Sequence, residues 1–167
     1  MDNDTSSHER AAALLDAHAD YRVLRALPSP TEYPVVKAQG LVRTAVVIDV
    51  ETIGLDLEHP IIDLAIQRVA FDTRGMIVRV RQVRQWFEDP GRPIPAEITR
   101  LIGITDVTGK RVDADEAISL IGSTTVAIAH NAAFDAPRVE RRLPAIAGHA
   151  GACSCNEVGW PKLGFYG

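Results

Sequence analysis

Cysteine is scarce in this sequence of 167 residues, where only Cys153 and Cys155 occur, separated by a single residue. A disulfide across so short a loop would be strained, so we expect both residues to be free thiols. A closed zinc site needs four Cys or His ligands, and two cysteines at this spacing lack the required second pair. The sequence therefore indicates neither a disulfide framework nor a structural zinc site.

Long apolar runs are also absent, because no stretch approaches the 18 or more consecutive apolar residues that a membrane-spanning helix needs. The segment from Met1 to Arg10 is polar and acidic, whereas a secretory signal has a positive start followed by an apolar core. We therefore expect no membrane span, and residence in the cytoplasm as the default.

An excess of positive charge is the third missing feature, since 18 Lys and Arg residues face 22 Asp and Glu residues, for a net charge of −4. Proteins that coat duplex nucleic acid are usually basic, so this function is disfavoured. An enzyme that acts on a nucleic acid end remains compatible, because a few metal ions can hold the reacting phosphate. With 46% apolar residues, the chain can form one domain with a real core.

The N-terminal part of the chain predicts a helix and a linker. Apolar residues at spacings of three and four indicate one amphipathic helix from Ser7 to Leu27. The segment from Pro28 to Pro34 contains three prolines in seven residues, which favours an extended linker. We therefore expect residues 1–40 to form an N-terminal helix and a Pro-rich linker, and residues 41–167 to form the main domain.

The main domain predicts a mixed α/β architecture, because strand patterns come first and then alternate with helix patterns. The apolar run from Ala45 to Ile48 indicates a central strand buried on both faces. The turn from Asp72 to Gly75 would join two antiparallel strands. The predicted strands are 41–50, 61–71, 76–87, 124–129 and 152–155; the predicted helices are 93–102, 113–121 and 132–143, the last with Arg138, Arg141 and Arg142 on its outer face.

Two carboxylates, Asp49 and Glu51, stand at the end of the first predicted strand. Because residues two apart in a strand point to the same side, their charges repel each other unless a cation joins them. Mg²⁺ and Mn²⁺ prefer such oxygen ligands. An isolated pair of this kind is more often a pair of solvated loop residues, so the pair alone does not establish a metal site.

A third carboxylate, Asp135, follows the later predicted strand 124–129 at the start of a helix. Ligand sites of open α/β sheets favour the carboxyl ends of strands, so Asp135 could complete a three-carboxylate site with Asp49 and Glu51. The alternative is that Asp135 is simply an acid at a helix start, where the helix dipole favours negative charge.

Segments around these acids resemble the first two exonuclease motifs of the DEDD superfamily. The first motif is matched by Asp49-Val50-Glu51-Thr52-Ile53-Gly54 with Ile61-Ile62-Asp63-Leu64-Ala65, and the second by His130-Asn131-Ala132-Ala133-Phe134-Asp135. Segments 94–98 and 102–106 resemble the connecting part of the branch that includes the epsilon proofreading subunit of bacterial DNA polymerase III. The resemblance covers residues 44–155 in order and spacing.

This resemblance implies a ribonuclease-H-like mixed sheet flanked by helices and a 3′-to-5′ exonuclease that hydrolyses phosphodiester bonds at single-stranded 3′ ends, with DNA favoured over RNA. It implies two Mg²⁺ or Mn²⁺ ions about 4 Å apart, which activate water and stabilise the leaving oxygen. The implied catalytic residues and metal ligands are Asp49, Glu51 and Asp135, and the implied substrate contacts are Val50, Thr52, Glu97 and Asn131. Glu97 also has a structural explanation, as an acid in the first turn of a helix.

The third motif of the superfamily, a His followed five residues later by an Asp on a final helix, has no match here. His149 is followed at that offset by Ser154, and His130 by Asp135, which already serves the second motif. We therefore expect the fold to be truncated after its last strand, with exposed apolar sheet surface and weak or no catalysis. The alternative is a non-catalytic module of the same fold that binds a DNA polymerase subunit or another partner.

Overall fold

The computed structural model describes residues 2–24, 26, 29, 32–33 and 36–165. Strands dominate the first half of the main domain and helices the second. The helices are α1 (Asp2–Asp16), α2 (Ala96–Ile102), α3 (Ala114–Gly122), α4 (Ala132–Arg142) and α5 (Ser154–Glu157), with 3₁₀ turns at Pro144–Ile146 and Trp160–Leu163. The strands are β1 (Arg43–Thr52), β2 (Ile61–Phe71), β3 (Ile77–Val80), β4 (Arg84–Phe87), β5 (Val126–Ala129) and β6 (Gly151–Cys153).

The N-terminal helix differs from the predicted one. Helix α1 ends at Asp16, so the prediction of a helix up to Leu27 is wrong for the described residues 17–24, and Leu27 itself lies outside the described residues. Leu14 is 75% exposed and Leu24 is 86% exposed. These two leucines are thus largely exposed to solvent. Without packing against another surface, an amphipathic pattern alone does not extend the helix. The linker from Pro28 to Pro34 lies largely outside the described residues.

One mixed sheet forms the centre of the main domain, with the strand order β3-β2-β1-β5-β6 and β4 also paired with β2. Strand β1 is antiparallel to β2 and parallel to β5, and β5 is parallel to β6. The carboxyl ends of β1, β5 and β6 therefore meet at one edge of the sheet. The predicted mixed α/β class is confirmed, and β2 has its predicted bounds.

The predicted strand 76–87 is two strands, and both are antiparallel to β2. Val80 pairs with Val69 and Arg84 pairs with Ile66, so four steps along this segment match three steps along β2. One extra residue is thus inserted between the two pairings, which interrupts the strand as a bulge does. The antiparallel arrangement and the turn after Asp72 agree with the prediction, and Gly75 supplies the positive φ of 77° in that turn.

Burial of β1 is one-sided from Val46 onward, whereas Ala45 is fully buried on the other face. Val46, Ile48 and Val50 belong to the main core cluster, where residues of α3 and α4 such as Ile121 and Val139 pack against them. On the other face Val47 is 40% exposed, so the prediction of a strand buried on both faces is wrong. Both described helices that pack against β1 in this core lie on the same side, which leaves the opposite face of β1 open.

The last elements also differ from the prediction. Strand β6 ends at Cys153, and Ser154 and Cys155 begin helix α5 instead of continuing the strand. Both cysteines are free thiols, as predicted. Among the described residues, no helix has the length and apolar character needed to cross a membrane.

Candidate metal-binding site

Two acidic side chains stand on the open face of β1 at its carboxyl end. Asp49 is exposed and Glu51 is half-buried, whereas Val50 between them is buried in the core. This alternation follows from the two-residue period of a strand. The prediction that both carboxylates share one side of the sheet therefore agrees with the observed burial.

A further acid, Asp63 of β2, lies directly opposite Glu51 in the antiparallel pairing. Its side chain is buried, and its Oδ2 accepts a hydrogen bond of 2.7 Å from Gln85 Nε2. Its Oδ1 is buried without a hydrogen-bond partner among the described residues. The sequence interpretation did not assign Asp63 to the site, although one acid within the apolar segment Ile61 to Ile66 was a detectable signal.

Burial and mutual repulsion affect the protonation of these acids. Burial raises the pKa of Glu51, and the negative charges of Asp49, Asp63 and Asp135 raise it further. Burial also raises the pKa of Asp63, an effect opposed by the Gln85 hydrogen bond and reinforced by Asp49. The carboxylates are thus close enough to destabilise one another's charged forms, which a bound cation would reverse.

Asp135 stands in the first turn of α4 and is 4% exposed. Its Oδ1 accepts a hydrogen bond of 3.2 Å from the backbone N–H of Val50. The pairing of β1 with β5 ends at Ile48 and Ala129, so Asp135 takes the place of a strand partner where β5 leaves the sheet. Burial raises the pKa of Asp135 to about 6, with a further contribution from the charge of Asp49.

The acids are gathered at one edge of the sheet but are not closed around a common point. In the described part of the chain, no three His, Cys, Asp or Glu side chains approach closely enough to hold a metal ion. The donors nevertheless fit a hard divalent cation, because all are carboxylate oxygens and one of them, Asp63 Oδ1, is buried without a partner. Asp49, Glu51 and Asp135 are the predicted residues that could hold it.

The predicted substrate contacts lie in different surroundings. The N–H of Val50 is donated to Asp135, and the hydroxyl of buried Thr52 donates a hydrogen bond of 2.6 Å to the Gly54 carbonyl. Asn131 is exposed and precedes α4 with a φ of 64°, the one positive φ of a non-glycine residue among those described. Glu97 is exposed in the first turn of α2, in agreement with its structural explanation.

Helix α4 also holds the loop that follows β1. Arg138 is 6% exposed, and its guanidinium donates hydrogen bonds to the carbonyls of Phe134, at 2.7 Å, and of Leu55. Arg141 donates a hydrogen bond of 2.8 Å to the Leu57 carbonyl. The prediction that Arg138 lies on an outer face is wrong, because this loop covers it. The contacts fix the loop one helical turn from Asp135.

Comparisons with known proteins agree with this architecture. A family model described as exonuclease, of the RNase T type, matches residues 46–147. Exonuclease I of E. coli in complex with a dT13 oligonucleotide is similar, with 15% identity and a TM-score of 0.50 over 67% of this chain and 28% of that chain. Exonuclease I from Methylocaldum szegediense gives the same four values. No curated protein matches the chain.

At this identity the two solved structures show the fold, which confirms the predicted ribonuclease-H-like mixed sheet flanked by helices. The chain spans less than a third of the length of either neighbour.

Proposed function

The chain belongs to the RNase T exonuclease family, and on this premise we propose that it is a 3′-to-5′ exonuclease that acts on single-stranded nucleic acid with divalent cations. Family membership supports the general function of a nuclease, which is a hydrolase. The observation that carries the finer proposal is the gathering of four acids, Asp49, Glu51, Asp63 and Asp135, at the carboxyl end of β1. Their mutual repulsion is the electrostatic setting that a phosphodiesterase metal site needs.

Asp49, Glu51 and Asp135 are proposed as the metal ligands and catalytic residues. When bound, two Mg²⁺ or Mn²⁺ ions would supply an activated water and stabilise the leaving oxygen. Asp49 is exposed to solvent, whereas buried Asp135 accepts a hydrogen bond from the Val50 N–H and is mainly deprotonated only above its pKa of about 6. Asp135 therefore both holds the β1 backbone at Val50 and contributes negative charge to the site.

The proposed substrate is the 3′ end of a single strand, with DNA favoured over RNA. Val50, Thr52, Glu97 and Asn131 are proposed to contact the terminal nucleotide. Asn131 is exposed and has a positive φ just before α4, four residues ahead of Asp135, which supports its role. The exonuclease I neighbour of similar fold was solved with a dT13 oligonucleotide, which makes a DNA strand a reasonable first substrate.

The rate of these 167 residues is proposed to be low. Of the five histidines, only His130 is followed five residues later by an Asp, and that residue is Asp135. None of the other four histidines therefore has an Asp at this spacing that would pair with it as a general base, and a general base typically contributes about 10² to 10⁴ in rate.

The experiment is degradation of a 5′-labelled single-stranded DNA oligonucleotide with Mn²⁺. We expect a ladder that shortens from the 3′ end, and a rate at least about 100-fold lower for Asp49→Asn. Asp115→Asn is the matched control, because Asp115 is an exposed acid on α3, away from the open face. Full activity of Asp49→Asn would contradict the proposed ligands, and release of the 5′ label as a mononucleotide would contradict the polarity.

A partner-binding module is the second candidate, and the exposed apolar residues of the N-terminal segment favour it. Leu14 is 75% exposed on α1, and Leu24 beyond the helix is 86% exposed. Such residues could bind a polymerase subunit or another protein. A folded chain that shows neither Mn²⁺ binding nor hydrolysis would favour this function over catalysis.

A further inference from the structure

Three carboxylates share the open face of the sheet. Asp49 and Glu51 are two residues apart in β1, and Asp63 of β2 is directly opposite Glu51. Side chains directly opposite each other in antiparallel strands have Cβ atoms about 4.5 to 5.5 Å apart. Asp63 is therefore the neighbour of Glu51 across the strands, as Asp49 is its neighbour along the strand.

One oxygen of Asp63 has no hydrogen-bond partner among the described residues. The side chain is only 9% exposed, and Gln85 of β4 donates its hydrogen bond to Oδ2. Strand β4 pairs with β2 on the side away from β1, so Gln85 occupies one oxygen of Asp63 from the side opposite to Glu51. Oδ1 has no hydrogen-bond partner in the described residues, and an unsatisfied buried acceptor is costly in a folded protein.

No positively charged side chain neutralises this face. Within the described ranges, neither Asp49, Glu51 nor Asp63 forms an ion pair with a Lys or Arg, whereas Glu88, Glu116 and Asp72 each pair with an arginine. A small divalent cation that prefers oxygen ligands would neutralise the negative charge of these acids and would also bind the free oxygen of Asp63.

We propose that Asp63 is a further ligand of the divalent cation site, holding the cation together with Glu51 through its free Oδ1. This inference rests on the proposed function, because it adds a residue to the same site. In this arrangement Asp63 binds the cation through Oδ1, and the hydrogen bond from Gln85 holds Oδ2.

The test compares Mn²⁺ binding by calorimetry and by the electron paramagnetic resonance of free Mn²⁺. We expect Asp63→Asn, which is close in size to the native side chain, to weaken Mn²⁺ binding by about tenfold or more. Asp63→Glu keeps a carboxylate and should recover most of the affinity, and Asp115→Asn should bind as the unaltered chain does. Should Asp63→Asn fail to fold, Asp63→Ser provides the same comparison.

A melting experiment separates a ligand from a structural residue. As a ligand, Asp63→Asn melts no lower than the unaltered chain without Mn²⁺, and gains less melting temperature when Mn²⁺ is added. A lower melting temperature without Mn²⁺, with an unchanged gain on its addition, would show a structural role and overturn the inference.

Asp49→Asn distinguishes the role of Asp63 from the existence of the metal site. If the unaltered chain binds Mn²⁺, Asp49→Asn loses it and Asp63→Asn retains it fully, the inference is wrong and the proposed metal site stands. If the unaltered chain binds no Mn²⁺, the proposed metal site fails and the role of Asp63 fails with it.

Discussion

Two buried aspartates flank the ends of strand β2, one inside its start and one just after its end, and they have opposite surroundings. Asp72, just after the strand, is 2% exposed, and Asp63, near its start, is 9% exposed. Arg74 donates hydrogen bonds to Asp72 Oδ2 from its Nε and Nη2 at 3.0 and 2.7 Å. Among the residues that the structure describes, Asp63 has one amide donor, Gln85, and its other oxygen has no partner.

The two aspartates also differ in protonation. The Arg74 guanidinium, together with the backbone N–H groups of Gln39, Arg74 and Met76, holds the pKa of Asp72 well below its usual range. Burial and the charge of Asp49 raise the pKa of Asp63. At similar burial, hydrogen-bond donors thus stabilise the charged carboxylate of Asp72, whereas the charged form of Asp63 is destabilised. A fully satisfied carboxylate supports the fold, and an unsatisfied one near other acids marks a site for a ligand.

The largest effect on stability is expected from Asp72→Ala. This substitution removes the acceptor that ties the turn 72–76 to Gln39, so several backbone N–H donors lose their partner at once. We expect the melting temperature to fall by several degrees. Asp63→Asn without cations is the matched comparison at the other end of the strand. A larger fall in melting temperature for Asp63→Asn than for Asp72→Ala would contradict the different roles of the two aspartates.

A second effect is a pH dependence set by Asp135. Its pKa is raised from 3.8 to about 6 in the folded protein, so folding favours the protonated form. This contribution to stability is fully present below about pH 4 and is lost as the pH rises through about 6, on the order of 3 kcal/mol without cations.

The measurement is urea denaturation at several pH values between about 4 and 7.5, with Asp135→Asn as the reference. We expect the unaltered chain to lose more free energy of unfolding over this range than the variant does. Equal losses would show that Asp135 is not destabilised in its charged form.

The smallest effect is expected from Glu51→Gln without cations. The substitution relieves repulsion with Asp49, Asp63 and Asp135, and it should raise the free energy of unfolding by a few tenths of a kcal/mol, up to about 1 kcal/mol. With Mn²⁺ present the order should reverse, because the unaltered chain then gains more from the cation. Chemical denaturation with and without Mn²⁺ checks both signs, and a destabilised variant without Mn²⁺ would show that Glu51 serves the fold.

Local patterns predicted those parts of the fold that depend on neighbouring residues. Strand β2 has its predicted bounds, and Asp113 precedes α3 with its side chain accepting a hydrogen bond from the Glu116 N–H, as helix-start chemistry requires. The predictions failed where a distant segment decides the outcome. The interruption after Val80 depends on pairing with β2, and the burial of Arg138 depends on the loop after β1.

The same distinction applies to the site. Asp49, Glu51 and Asp135 were predicted because each follows a strand pattern at a recognisable motif position, and their roles stay predictions. Asp63 was missed as a site residue because its importance lies in its register opposite Glu51 and in the hydrogen bond from Gln85. Neither feature is visible until the strands are paired.

The most direct test of the central claim is anomalous scattering from crystals of this chain grown with Mn²⁺. The metal-site proposal predicts a peak at about 2.0 to 2.2 Å from carboxylate oxygens of Asp49 and Glu51, on the open face of the sheet beside Asp63. The same crystals of Asp49→Asn should lack that peak. A well-ordered site without an Mn²⁺ peak, or a peak bound only by acids elsewhere on the surface, would contradict the account.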